Sequence, residues 1–264
     1  FISWVNELDP TAALFENVRG MQNTADGKFF DAVEESFDGI GYDVTHRVVE
    51  ASDFGVPQHR HRLLVLATKK SQTELPFDGF ELDPVDVPGV IDGIGDLPEV
   101  GSGETKTEYD AEPETVIQRD LRGDTDELTH HQAANHSDDR VEMLSHLSDG
   151  GNRTEIPEEL QPSSGYHHSY SSNMSKPSSA RCVHPFQDRG LTPREGARLQ
   201  TFPDSYRFNG ALGAVRKQIG NAVPPYLAEA VGYYLKQSVY GRELSGDEQS
   251  RIYQLRCGGM RLDE

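Results

Sequence analysis

Cationic residues are scarce in this sequence. Against 44 aspartates and glutamates stand 25 lysines and arginines, a formal net charge of −19 over 264 residues. Lysine is the scarcer of the two: Lys28, Lys69, Lys70, Lys106, Lys176, Lys217 and Lys236 are all there are. An acidic surface argues against bulk attraction to a polyanion. It suits a protein that stays soluble in concentrated salt, where the Debye length shrinks to about 3 Å at 1 M. The expectation is therefore a halophilic protein, and a melting midpoint that falls as KCl rises toward molar levels would refute it.

Cysteine is nearly absent too. Cys182 and Cys257 lie far apart and in no CxxC setting, which fits free thiols of a reducing compartment rather than a disulfide framework. No run of about 18 apolar residues occurs, so no membrane span is expected, and no basic-then-apolar leader is present. The expected location is the cytoplasm. The sequence opens on Phe1 rather than Met, and we expect it to begin inside a longer reading frame.

Three regions differ in pattern. Residues 1–70 read as α/β. Ala12–Glu16 suggests a buried strand, and Phe30, Val33 and Phe37 recur at helical spacing before Gly39 and Gly41. Tyr42, Val44, His46 and Val48 alternate as in a strand, and Leu63–Ala67 is a short apolar run. Residues 71–188 hold prolines 76, 84, 88, 98, 113, 157, 162, 177 and 185 among Ser, Gly and acidic residues. With little periodicity, this stretch reads as a loop-rich insertion or a small separate domain. From 189 to 240 order returns. Thr192-Pro193-Arg194-Glu195 fits an N-cap, a proline at the first helical position and a capping-box glutamate. QIGNAVPPY reads as a turn and then a helix opening at Pro224-Pro225, with Leu227, Ala230, Val231, Tyr234 and Leu235 as its apolar stripe. Residues 241–264 read as a charged, peripheral tail.

Several short patterns carry candidate chemistry. In QHRHR, Gln58, Arg60 and Arg62 occupy alternate positions, so an extended backbone sends all three side chains to one side. Guanidinium forks suit phosphates and base edges; a solvated basic loop is the plainer reading. Glu16, in ENV at a strand exit, is either solvated or poised for acid–base work. His130, His131 and His136 invite a metal reading, but no Cys or second spaced pair completes a site, and His167-His168 is remote in sequence. We expect no metal.

Taken in order, these patterns resemble the cytosine-5 DNA methyltransferases. Glu16-Asn17-Val18 resembles that family's sixth motif, Gln58–Arg62 its eighth, Arg189–Pro203 its ninth and Gln218–Pro225 its tenth. Val90–Pro98 and His131–Gly151 also resemble passages found in many members. The resemblance implies an α/β fold: the C-terminal portion of a Rossmann-like methyltransferase sheet with an inserted loop-rich target-recognition region at 71–188. It implies S-adenosylmethionine as cofactor and double-stranded DNA as partner, with the target cytosine flipped into a pocket. Glu16 would hold the base by N3 and the exocyclic amine, and Arg62 would donate to O2. Arg60 would hold the surroundings of the nucleophile and the flipped nucleotide. Asn221, Ala222 and Val223 match the residues that close over the cofactor. Asn17, Gln58, Arg194, Glu195 and Arg198 would be support residues.

The sequence departs from the family pattern in two places. The nucleophilic cysteine sits in a Pro-Cys-Gln context before ENV, and the glycine-rich cofactor turn comes earlier still; neither is here. Cys182 in ARCVHP and Cys257 in RCGGM are both downstream. The expectation is the C-terminal part of a methyltransferase whose N-terminal half lies on the same chain or on a partner. Lys176–Pro185 also lacks the threonine-rich stretch that many members carry. The competing readings are an inactive DNA-binding or partner subunit, a remnant of such an enzyme, and an acidic domain of unrelated role.

Overall fold

The computed structural model describes residues 1–23, 26–70, 82, 84–148, 155–161 and 183–263. His167, His168, Gly150, Gly151 and the passage 176–182 with its cysteine lie outside the described residues.

Strand β1 (Ala12–Val18), β2 (Tyr42–Glu50) and β3 (His61–Lys69) form a sheet in the order β1-β3-β2, with β3 antiparallel to both neighbours. β1 and β2 are thus parallel to each other and need a crossover. α1 (Ile2–Leu8) precedes the sheet, and α2 (Lys28–Asp38) makes the crossover. Phe30 and Phe37 of α2 are buried as the spacing predicts, with Val33 packed beside them. β3 lies between two apolar layers, which explains a continuous run where a half-exposed strand would alternate. Leu63 and Val65 meet the α2 side. Leu64 and Leu66 meet the opposite layer, built on α8 (Pro225–Ser238), where Leu227, Ala230 and Val231 are buried and Tyr234 and Leu235 pack at the edge.

The region after β3 is less separate than its composition suggests. Leu82, Ile117 and Leu121 enter the same core as Leu64 and Leu227. α3 (Val90–Ile94) packs on α4 (Val116–Arg122) and on α6 (Pro193–Leu199). Among the described residues of this region, the part around α5 (Asp138–Ser145) has a small apolar cluster of its own, of Met143, Leu144, Ile156 and Val183. Irregular backbone here follows α-helical packing that a proline-rich sequence hides. Gln218–Asn221, read as a turn, is instead the last turn of α7 (Leu212–Asn221), which buries Val215 and Ile219.

Residues beyond Gly241 are charged but not peripheral. α9 (Gly246–Arg256) starts on a Ser245–Glu248 capping box, and its Leu255 lies in the main core. The following residues strap α4: Ile117 N–H donates to Gly258 O, Val116 N–H to Met260 O, and Leu262 N–H to Glu114 O. The charges do not oppose this packing because Arg251 is paired with Asp120 and Glu229. Gly55 sits under α9 at φ 73, and a Cβ there would lie 2.5 Å from the Leu255 carbonyl oxygen. Gly55→Ala should therefore cost roughly 2–4 kcal/mol, from left-handed backbone plus a clash with backbone that cannot swing away. Denaturant unfolding that differs by under ~1 kcal/mol from the parent would contradict this contact.

α6 is buried along its whole length. Thr192 Oγ1 accepts from Glu195 N–H, and Thr192 N–H donates to Glu195 Oε2, as the capping box predicts. Arg189 grips Glu195 with two parallel bonds of 2.9 and 2.7 Å. Burial alone would raise the Glu195 carboxyl, but that guanidinium pulls it down to about 2. Burial pushes the neighbouring His184 imidazole down to about 4. His130, His131 and His136 are lowered too, first by burial.

These shifts fix the sign of the acid response. Below about 6.5 the unfolded chain binds protons at these histidines and the native state does not, so stability falls as pH drops. For His184 the loss runs from its ordinary 6.5 to about 4, and for Glu195 from 4.5 to about 2. His184→Gln should flatten the decline between pH 6.5 and 4 by on the order of 2–3 kcal/mol. An unchanged slope in denaturant titrations across that range would sink the assignment.

Candidate active site

The sheet register builds the site. Glu16 pairs with Leu64, and Val18 pairs with Arg62. Glu16 and Arg62 are therefore diagonal neighbours on one face, within reach of long side chains. There they form a salt bridge, Arg62 Nε to Glu16 Oε1, with both side chains largely buried. Loss of water raises the Glu16 carboxyl above its ordinary value, against the pull of Arg62. Burial likewise lowers the Arg62 guanidinium, with Glu16 opposing. A carboxyl held up in this way is closer to taking a proton at neutral pH than a solvated one.

The QHRHR alternation is present in the structure. Gln58, Arg60 and Arg62 are buried, while His59 and His61 between them are exposed. This replaces the solvated-loop reading. Arg60 Nη2 donates to Gly220 O at 3.1 Å and Ala222 O at 3.0 Å, which fastens the end of α7 and the turn after it. Arg60 Nε and Nη1 are buried with no hydrogen-bond partner among the described residues, as is Gln58 Oε1. Glu50, which the sequence did not single out, accepts the Arg60 backbone N–H at 2.7 Å and pairs with His61 Nε2 at 2.8 Å. It is the register partner of His61, so a hairpin drawn from the sequence would have put them side by side.

Glu16, Asn17, Val18, Arg60, Arg62, Gly220 and Asn221 line a pocket of about 340 Å³. Five of the expected site residues thus meet in one place. Gly220 was missed because its turn is helical. Ala222 does not line the pocket; its carbonyl accepts from Arg60 Nη2, and Val223 packs against the main core. Arg194, Glu195 and Arg198 are buried elsewhere. Arg194 holds Thr129 and the carbonyls of Pro203 and Tyr206. Arg198 lies between Asp96 and Asp204.

The histidines serve the packing. His131 bridges Thr192 Oγ1 and Pro98 O, and His130 and His136 accept backbone N–H groups from Phe208 and Gly190. Among the described residues, no group of three or more His, Cys, Asp or Glu is placed to hold a metal, and no helix is long and apolar enough to cross a membrane.

The α/β architecture around this three-stranded antiparallel sheet is that of a DNA methyltransferase fold. Its backbone matches a prophage-encoded DNA modification methyltransferase from E. coli with a TM-score of 0.73 at 24% identity, over 90% of this chain and 72% of that one. Residues 1–237 match the model of the C-5 cytosine-specific DNA methylase family, and the chain belongs to that family. It is 34% identical over 238 residues to Type II methyltransferase M1.HphI of Haemophilus parahaemolyticus, covering 88% of this chain and 58% of that protein. It is 33% identical over 261 residues to Type II methyltransferase M.XorII of Xanthomonas oryzae pv. oryzae, covering 88% and 60%. The chain spans about three fifths of the length of these curated relatives.

Proposed function

We propose that the pocket receives a cytosine flipped out of double-stranded DNA for methylation at C5. The observation that carries this reading is the buried Glu16–Arg62 pair with its raised carboxyl. Ionised, the Glu16 carboxylate accepts from the N4 amine; protonated, it donates to N3 and makes C6 electrophilic. Arg62 donates to O2 and favours charge building on the ring. Arg60 fixes the pocket floor through Gly220 and Ala222, Asn17 supports the exit of β1, and Gln58 supports the approach to β3. Arg194, Glu195 and Arg198 brace the helix beneath.

The thiolate that adds to C6 belongs, in this reading, to an N-terminal half on the same polypeptide or on a partner. Among the described residues the one cysteine is the buried Cys257. S-adenosylmethionine would supply the methyl group when bound. The pocket's end fits a polar edge of that cofactor, because Asn221 lines it beside the side-chain-free Gly220. Asn221, Ala222 and Val223 are the proposed cofactor contacts. The stretch 71–188 is the proposed target-recognition region, and the cytoplasm the proposed setting.

The test is methyl transfer by the native protein from isotope-labelled S-adenosylmethionine to DNA, read by mass spectrometry of the digested nucleosides. Labelled 5-methylcytosine is the expected product. Label on another base, or on N4, overturns the reading. DNA binding with no label, by a protein lacking any partner, would favour an inactive DNA-binding subunit.

A further inference from the structure

We propose that α9 and the residues after it form a clasp that positions Arg60, and that Arg251 is its principal positioning residue. The family match covers residues 1–237, so this clasp lies outside the matched residues. Two routes run from it to the pocket and converge on one side chain.

The first route passes through the turn before QHRHR. Leu255 packs with Phe54 and Val56 in the main core, and its carbonyl lies against Gly55. Ala51 N–H donates to Arg60 O, closing the same turn. The position of Gln58–Arg60 is thus set from beneath by α9.

The second route passes through the start of α8. Arg251 Nη1 donates to Asp120 Oδ1 at 2.6 Å, and its Nε donates to Glu229 at 3.0 Å. Gln254 Nε2 reaches the same Asp120 oxygen at 2.9 Å. The other Asp120 oxygen accepts the Tyr226 hydroxyl, and the Arg251 guanidinium lies 5.3 Å from the centre of the Tyr226 ring. Tyr226 follows Ala222-Val223-Pro224-Pro225 directly, and Ala222 O holds Arg60 Nη2. Two prolines make that link stiff, so a shift of Tyr226 is passed to the Ala222 carbonyl.

Arg60 is sensitive to both routes because it has little else. Its Nη2 depends on Gly220 and Ala222, and its Nε and Nη1 have no hydrogen-bond partner among the described residues. Buried donors without partners make the geometry of the remaining bonds costly to disturb. The inference rests on the proposed active site only in calling Arg60 part of it. Its test needs no catalysis, so the two can fail separately.

The experiment is hydrogen–deuterium exchange of the full native protein carrying Arg251→Met or Arg251→Lys. Peptides covering 56–62 and 220–227 should exchange about tenfold or more faster in Arg251→Met, with β2 unchanged. Arg251→Lys should restore most of the protection, because an ammonium still reaches Asp120. Unchanged exchange around Arg60, or equal acceleration in β2, overturns the proposal. If Arg251→Met does not fold, Gln254→Leu is judged by the same criteria.

Discussion

Glu16→Gln is expected to lower methyl transfer to DNA by about 10²–10⁴-fold while DNA affinity stays near that of the parent. The loss corresponds to what a positioned acid–base group contributes. An amide in the same place still accepts from the cytosine amine and still meets Arg62, so base capture survives. It cannot ionise, and it cannot give a proton to N3. The pH dependence should change with the rate, since the raised carboxyl is the titrating group that the substitution removes. A turnover within threefold of the parent would refute the role given to Glu16, whatever the affinity did.

Arg198→Met should unfold the protein or come close to it. Arg198 has no exposed surface and holds two carboxylates: Asp204 through Nε at 3.0 Å and Nη2 at 2.6 Å, and Asp96 through Nη1. Its Nη1 also donates to Gly93 O at 3.2 Å. Removing the cation leaves Asp96 buried without its guanidinium and Asp204 with only the longer Arg194 pair at 3.5 Å, and breaking such a buried pair typically costs about 3–5 kcal/mol. Tyr109, whose hydroxyl donates to Asp204 at 2.6 Å, cannot make good the lost charge. Arg198→Lys should recover only part of the loss, because a single ammonium cannot fork between two carboxylates. Equilibrium denaturation gives the answer directly, and a loss below ~1 kcal/mol would mean that the cluster is not the brace it looks like.

Much of this was legible in the sequence, for reasons that can be stated residue by residue. The alternation of Gln58, Arg60 and Arg62 holds in the fold, with Arg62 inside β3, Gln58 and Arg60 just before it, and His59 and His61 exposed between them. The Thr192–Glu195 cap could be read because capping is local. α7 could not, since Gly213 and Gly220 depress its propensity, and only the packing of Val215 and Ile219 makes it helical. α9 carried a capping signal at Ser245–Glu248, but few apolar residues mark its buried side. It is held largely by Arg251 and Gln254, and polar attachment leaves no hydrophobic period to find. The distance in sequence between Asp120 and Arg251 gave no hint that they meet.

The antiparallel placement of β3 has a consequence for how this family can vary. Glu16 meets Arg62 only while Val18 faces Arg62 across the ladder, and a slip by one residue would turn one of them to the opposite face. The connection from Ala51 to Arg60 is closed at its ends by the bond from Ala51 N–H to Arg60 O, so any inserted residue has to bulge between them without displacing that pair. Segments remote from the ladder, such as the one around α5, carry no such phase and can lengthen freely. Natural relatives should accordingly show insertions and deletions clustered in the latter and almost none between β2 and β3.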